Sequence, residues 1–228
     1  MKFFSYESPF SQVLVKLCYS CYLNLLWFIC SVPVVTLGAA TTALYYTTLK
    51  IARNEEETSL TRMFFRSFRE NFRQSTVLWL ILLAAGAFLA GDGYIVYRLR
   101  SSAAGPAAVM WTLILALVIG AAVLYTIVLL YVFPLVASVS NTNWAMVRNS
   151  FFIGARYLFC TILVFAIHFA MFFVVVGFFT PLIIFGEGLC ALISSYLLSG
   201  VIRACSYDPN QAGKPGEALP DSGDGDKL

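Results

Sequence analysis

The chain has 228 residues, of which 60% are hydrophobic and only 12% charged, and its mean hydropathy is +0.80. A water-soluble domain carries about 25% charged residues, so this composition excludes an ordinary soluble protein and points to one that lives in lipid. The net charge of +3 is not a nucleic-acid signature, because the basic residues flank hydrophobic runs, as in the cytoplasmic loops of membrane proteins.

The opening MKFFSYESPF has no small-residue cleavage site, so no cleavable signal peptide is expected. Ser8-Pro9 is a helix-start pair. The first span is predicted over 13–32, with Lys16 near its cytoplasmic end and able to snorkel. Asn24 lies well inside it. Pro33 and Gly38 bracket an outer turn, and a second, short segment follows over 37–52. From Ala39 to Arg53 it is about 22 Å long, and spanning is favoured over a re-entrant path. This segment is rich in Thr and Tyr. Gly38/Thr42 and Ala39/Ala43 are small pairs one helical turn apart, suited to close helix packing. Asn24, Thr41, Thr42 and Tyr45 form a candidate intramembrane polar site, together with His168, the single histidine, in the middle of a later span. Such groups either bond between helices or contact a solute, and an intramembrane ionisable group also suggests a proton relay.

The segment 58–74, TSLTRMFFRSFRENFRQ, is the sharpest pattern. On a helix Arg62, Arg66, Arg69 and Arg73 fall within roughly 60°, and Phe64, Phe65, Phe68 and Phe72 within a separate arc of roughly 100°. This predicts an interfacial amphipathic helix. Phe64, Phe68 and Phe72 would sit in the acyl boundary and the arginines at anionic headgroups; the alternative contact is a cytoplasmic protein partner. A weaker echo, NTNWAMVRNSFFIGARY, places Trp144, Val147 and Phe151 on one face. It reads more simply as an ordinary connection than as a duplicated unit.

Four further spans are predicted over 77–97, 107–139 (with Pro134 kinking or ending its intramembrane part), 157–179 and 188–204. Asp92 and Glu187, each between two glycines, are candidate outer-mouth acids within reach of Arg98 and Arg100. The remainder, 206–228, is rich in Gly, Pro and Asp and is expected to be a disordered acidic tail. The basic residues between Lys50 and Arg73, with Arg148, Arg156 and Arg203, place both termini in the cytoplasm. The expected fold is therefore an all-α polytopic bundle of about six spans.

Enzyme signatures are missing. There is no G-x-S-x-G, H-E-x-x-H, P-loop or dinucleotide fingerprint. The six cysteines are dispersed in or beside apolar runs; Cys18-x-x-Cys21 lacks a second ligand pair, and buried packing explains it better than metal. No cofactor is expected. The loop by which ABC permeases dock their ATPase is not found between Asn141 and Tyr157.

The stretches FFSYESPF, LNLLWFICSVPVVTLGAATTALYYTTLK and FFRSFRENFRQ, with the weaker YVFPLVASVSNT and MVRNSFF, resemble the YesL-like family of bacterial membrane proteins over roughly residues 1–155. Ala39 departs from that pattern, which often has Pro after the Gly. The resemblance implies a multi-span protein of the Gram-positive cell membrane, often encoded beside carbohydrate ABC transporters and polysaccharide-degrading enzymes. It implies an accessory or transport-linked role in carbohydrate uptake, with an ABC sugar-transport permease as partner. The alternative is a membrane-organising or partner-docking protein that moves no solute.

Overall fold

A computed structural model of the chain describes residues 9–55, 59–177 and 183–206. Within them the chain forms α-helices joined by short connections, with no strand: α1 Pro9–Ser31, α2 Leu37–Arg53, α3 Leu60–Ser102, α4 Pro106–Ser138, α5 Asn143–Arg156, α6 Leu158–Gly177 and α7 Ile183–Ser206. The predicted tail lies, from 207 on, outside the described residues.

Local chemistry sets the boundaries. Between α1 and α2 a short 3-10 turn, Val34–Thr36, is pinned by the Thr36 hydroxyl, which donates to Cys30 O (2.6 Å). α2 stops where Asn54 turns left-handed (φ 54°) and returns its N–H to Ile51 O and Lys50 O, a left-handed C-cap. α4 begins at Pro106, just after Gly105 at φ +59°, a conformation that favours glycine. The Thr142 hydroxyl accepts from Ala145 N and caps α5.

Among the described residues four helices are long and apolar enough to cross a membrane: α1 from Ser11, α3, α4 and α6. The apolar stretch of α7, Gly186–Ile202, is shorter. These make the chain a helical membrane protein. α2 has a different job. Twelve of its seventeen residues are buried, and it packs on α1, α3, α4 and α7, so it is the centre of the bundle. Pro134 does not end α4, which runs on to Ser138 with Pro134 buried.

The basic segment expected as a separate interfacial helix over 58–74 is instead the first half of α3. That helix is 43 residues long without a break, about 64 Å, roughly twice a hydrocarbon layer. Nothing between Gln74 and Val77 breaks a helix, and α2 packs along the first half and stabilises it. The two halves of α3 have different neighbours. The first lies antiparallel to α2 as far as Trp79, whose indole N–H donates to Val34 O (2.8 Å). The second pairs with α4: Tyr125 donates to Leu82 O (3.0 Å) and Arg100 Nε to Thr112 Oγ1 (3.0 Å).

Candidate functional site

The polar residues of α2 meet three other helices. Trp27 Nε1 of α1 donates to Thr41 Oγ1 (3.1 Å). Thr42 shares a hydrogen bond with Ser75 of α3 (2.8 Å), and Thr48 with Ser195 of α7 (2.8 Å). Thr42 and Thr48 also donate back to Gly38 O and Leu44 O of their own helix. A Cβ on Gly38 would stand 2.6 Å from Ser75 O and from Trp79 Cβ, so this small-residue face lets α2 and α3 close directly. Thr41 and Thr42 therefore act as interhelical glue.

A second group is ionisable. Tyr45 is buried on α2 one turn from Thr41 and Thr48, and its hydroxyl lies 3.3 Å from His168 Nε2 on α6. Glu187 Oε1 of α7 lies 3.9 Å from the same nitrogen. The next residue, Gly188, donates its N–H to Asn24 Oδ1 of α1 (2.6 Å), and Asn24 is fully buried. Four helices thus converge on a cluster of Tyr45, His168 and Glu187, braced by Asn24. An isolated charge in such a place is costly, so ionisable groups there are paired.

Three of the five predicted polar-site residues, Asn24, Tyr45 and His168, gather here. Asn24 is fully buried, and its Oδ1 accepts from the backbone of α7. Glu187 belongs with them and not at an outer mouth with Asp92. α7 starts at Ile183, so Gly186-Glu187-Gly188 is helical and turned inward. Asp92 sits in the half of α3 that faces α4, where the neighbouring Gly93 approaches Val118. Arg98 lies over the Tyr94 ring of its own helix and Arg100 bonds Thr112 across the hairpin, both at an exposed surface.

The arginine stripe forms a separate surface. Arg66 Nη2 donates to the Tyr46 hydroxyl (2.6 Å) and lies over its ring. Arg62, Arg66 and Arg69 line an open groove of about 640 Å³ with Ser59, Thr61, Phe65 and Glu70. Arg73 is exposed one turn on. The phenylalanines do not share one lipid-facing side. Phe64 is fully buried in the core, Phe68 stacks on it at 6.4 Å, and only Phe65 and Phe72 are substantially exposed. The reason is that α2 covers the face on which the sequence alone puts lipid. On α5 the buried residues are Met146, Ser150 and Gly154, with Val147 partly buried against the core, while Trp144 is 76% exposed.

Several contributors left no strong trace in the sequence. Gly188 offers only a backbone N–H. Ser75 and Ser195 each stand beside another hydroxyl, Thr76 and Ser194, and nothing in the sequence marks which of the two pairs with α2. Lys16, read as a snorkelling residue, donates to Asn54 Oδ1 (2.8 Å) and to the Tyr196 hydroxyl (2.9 Å), tying together α1, the end of α2 and α7. The one readable signal for the acidic site was a carboxylate between two glycines, where small neighbours let other helices approach.

Residues 21–92 match the sequence model of a family described as "Protein of unknown function, DUF624". Over 136 residues the chain is 27% identical to "Uncharacterized protein YesL" of Bacillus subtilis (strain 168); that alignment covers 58% of this chain and 60% of the relative. No solved structure matches.

Proposed function

Taking the chain as YesL-like, with its DUF624 region at 21–92, we propose that it is a non-enzymatic accessory component of carbohydrate uptake in the bacterial cell membrane, with both termini cytoplasmic. The observation that carries the reading is the arginine groove. Arg62, Arg69 and Arg73 are exposed on a long helix that is rigidly seated by buried Phe64 and by the Arg66–Tyr46 contact. Exposed cations on a fixed frame suit a partner or anionic headgroups, because little side-chain and backbone order is lost on contact. The partner proposed is an ABC sugar-transport permease; the carbohydrate link comes from the family resemblance.

The test is purification from mild detergent together with uptake in cells with and without the gene. A permease that co-purifies with the wild type but not with R62E/R69E, and sugar uptake that falls when the gene is deleted, are the expected results. Uptake unchanged by deletion, with no permease recovered, overturns the reading. A second reading, a membrane-organising protein that moves no solute, draws support from the interhelical bonding of Thr41, Thr42 and Thr48, which leaves these hydroxyls to packing. It predicts a retained partner and unchanged uptake.

A further inference from the structure

The hydroxyls of α2 are explained by packing, but the contact of His168 with Glu187 is not, because an apolar pair would pack α6 against α7 without burying ionisable groups. His168 is held at a fixed angle. Its Nδ1 lies 2.9 Å from Val164 O on the preceding turn. A carbonyl only accepts, so Nδ1 carries a hydrogen, and Nε2 is the nitrogen free to gain or lose one. Nε2 is aimed at two oxygens from two other helices, the Tyr45 hydroxyl of α2 at 3.3 Å and Glu187 Oε1 of α7 at 3.9 Å.

The backbone is shaped around this point. A Cβ on Gly186 would stand 2.9 Å from Met171 Sδ of α6, and one on Gly188 would meet Ser20 O and stand 2.7 Å from Asn24 Cβ of α1. Glycines on both sides of Glu187 therefore let α6 and α1 close around it. α6 is otherwise loosely held, burying only Thr161, Val164 and Val175 of its twenty residues. We propose that His168 and Glu187, with the Tyr45 hydroxyl, form a proton-binding site between α6, α7 and α2.

One proton has two resting places in this site: on the Glu187 carboxyl facing a neutral imidazole, or on Nε2 facing the carboxylate. Both arrangements are neutral as a pair, the state favoured where water is scarce. The Tyr45 hydroxyl serves both by turning: it donates to Nε2 when the ring is neutral and accepts from Nε2–H when the ring is charged. Loss of the proton leaves the pair negative, and a second proton leaves it positive, so proton exchange changes the electrostatic tether of α6 to the core. Among the described residues the other titratable group beside the pair is Cys190 of α7, whose Sγ lies 3.9 Å from Ile167 O. α4 presents Tyr131, bonded to Thr161 about two turns away along α6. α5 ends at Arg156, ahead of the start of α6.

The single histidine makes the test direct. The full chain, carrying isotope-labelled histidine and no polyhistidine tag, is placed in lipid nanodiscs and followed by nitrogen NMR from about pH 5 to 9, the range in which imidazole titrates. The expected result is an Nδ1 that stays protonated while Nε2 titrates in one step, and a step that moves by roughly tenfold or more in proton concentration in E187Q, equivalent to one pK unit. Y45F should give a smaller displacement. If E187Q does not accumulate, E187D keeps the charge and retracts it by one methylene, and any displacement in it supports the site. A ring that holds one protonation form throughout, or a step unmoved by the Glu187 variant recovered, overturns the proposal.

Discussion

The α2-centred core and the hairpin formed by the second half of α3 with the first half of α4 are both largely apolar but are held together differently. In the core, side-chain hydrogen bonds run between helices: Asn24 to Gly188, Trp27 to Thr41, Thr42 to Ser75 and Thr48 to Ser195. In the hairpin, Arg100 to Thr112 and, at its inner end, Tyr125 to Leu82 O cross between the helices, while Thr112 and Thr126 donate to the carbonyls of Ala108 and Ala122 in their own helix. Large apolar residues there, among them Phe88 and Leu117, face outward. The glycines repeat the contrast. Gly38 and Gly188 sit where another helix touches the backbone, whereas farther out in the hairpin Gly91 and Gly120 have open space around a would-be Cβ; Gly86, where Tyr125 of α4 reaches the backbone of α3, is packed as closely as the core. Where helices surround a helix, small and polar residues set the packing; where lipid surrounds it, apolarity is enough.

The largest expected effect comes from filling a core contact. Gly188→Leu should lower stability in detergent by about 3 kcal/mol, the upper end of the usual overpacking penalty, with the thermal midpoint falling accordingly. Gly120→Leu, measured alongside by the same melt, should cost little. Equal losses from the two would break the comparison. A smaller effect is expected of Asn24→Leu, which removes the acceptor for the Gly188 N–H. About 1–2 kcal/mol is the range for such a bond in a membrane interior. Double-mutant coupling between this change and Gly188→Ala would sharpen the comparison by tying the loss to the α1–α7 contact. Gly91→Ala should be the mildest and opposite in sign. With space for the methyl and a helical backbone, it should raise the midpoint, by at most about 1 kcal/mol. A clear loss there would mean that the hairpin packs against something in its native state.

Much of the fold was legible. Helices at 9–31, 106–138 and 158–177 fall close to the predicted spans because hydrophobic run length and Pro or Gly punctuation are local properties. The junction between the basic segment and the third span was not, since the sequence changes character at Gln74–Val77 while the backbone continues as one helix. Of the candidate site, Tyr45 and His168 were singled out by residue type alone, but Glu187 was assigned to the wrong neighbours. A carboxylate flanked by glycines looks like a turn until the helix containing it is known to begin four residues earlier. Phe64 was misplaced for a related reason. An amphipathic pattern says that a face is apolar, not whether lipid or another helix covers it.

By itself the sequence determined that this protein is helical and lives in a membrane, and that an arginine stripe runs along one helix face. These follow from composition and periodicity, which act over a few turns. Tertiary structure alone decided that α2 is the centre of the bundle. It also decided that Gly188 answers Asn24 across 164 positions of chain, and that Tyr45, His168 and Glu187 meet at one nitrogen. Those contacts join residues far apart in sequence, and they form only once small residues have let the backbones of different helices come into contact.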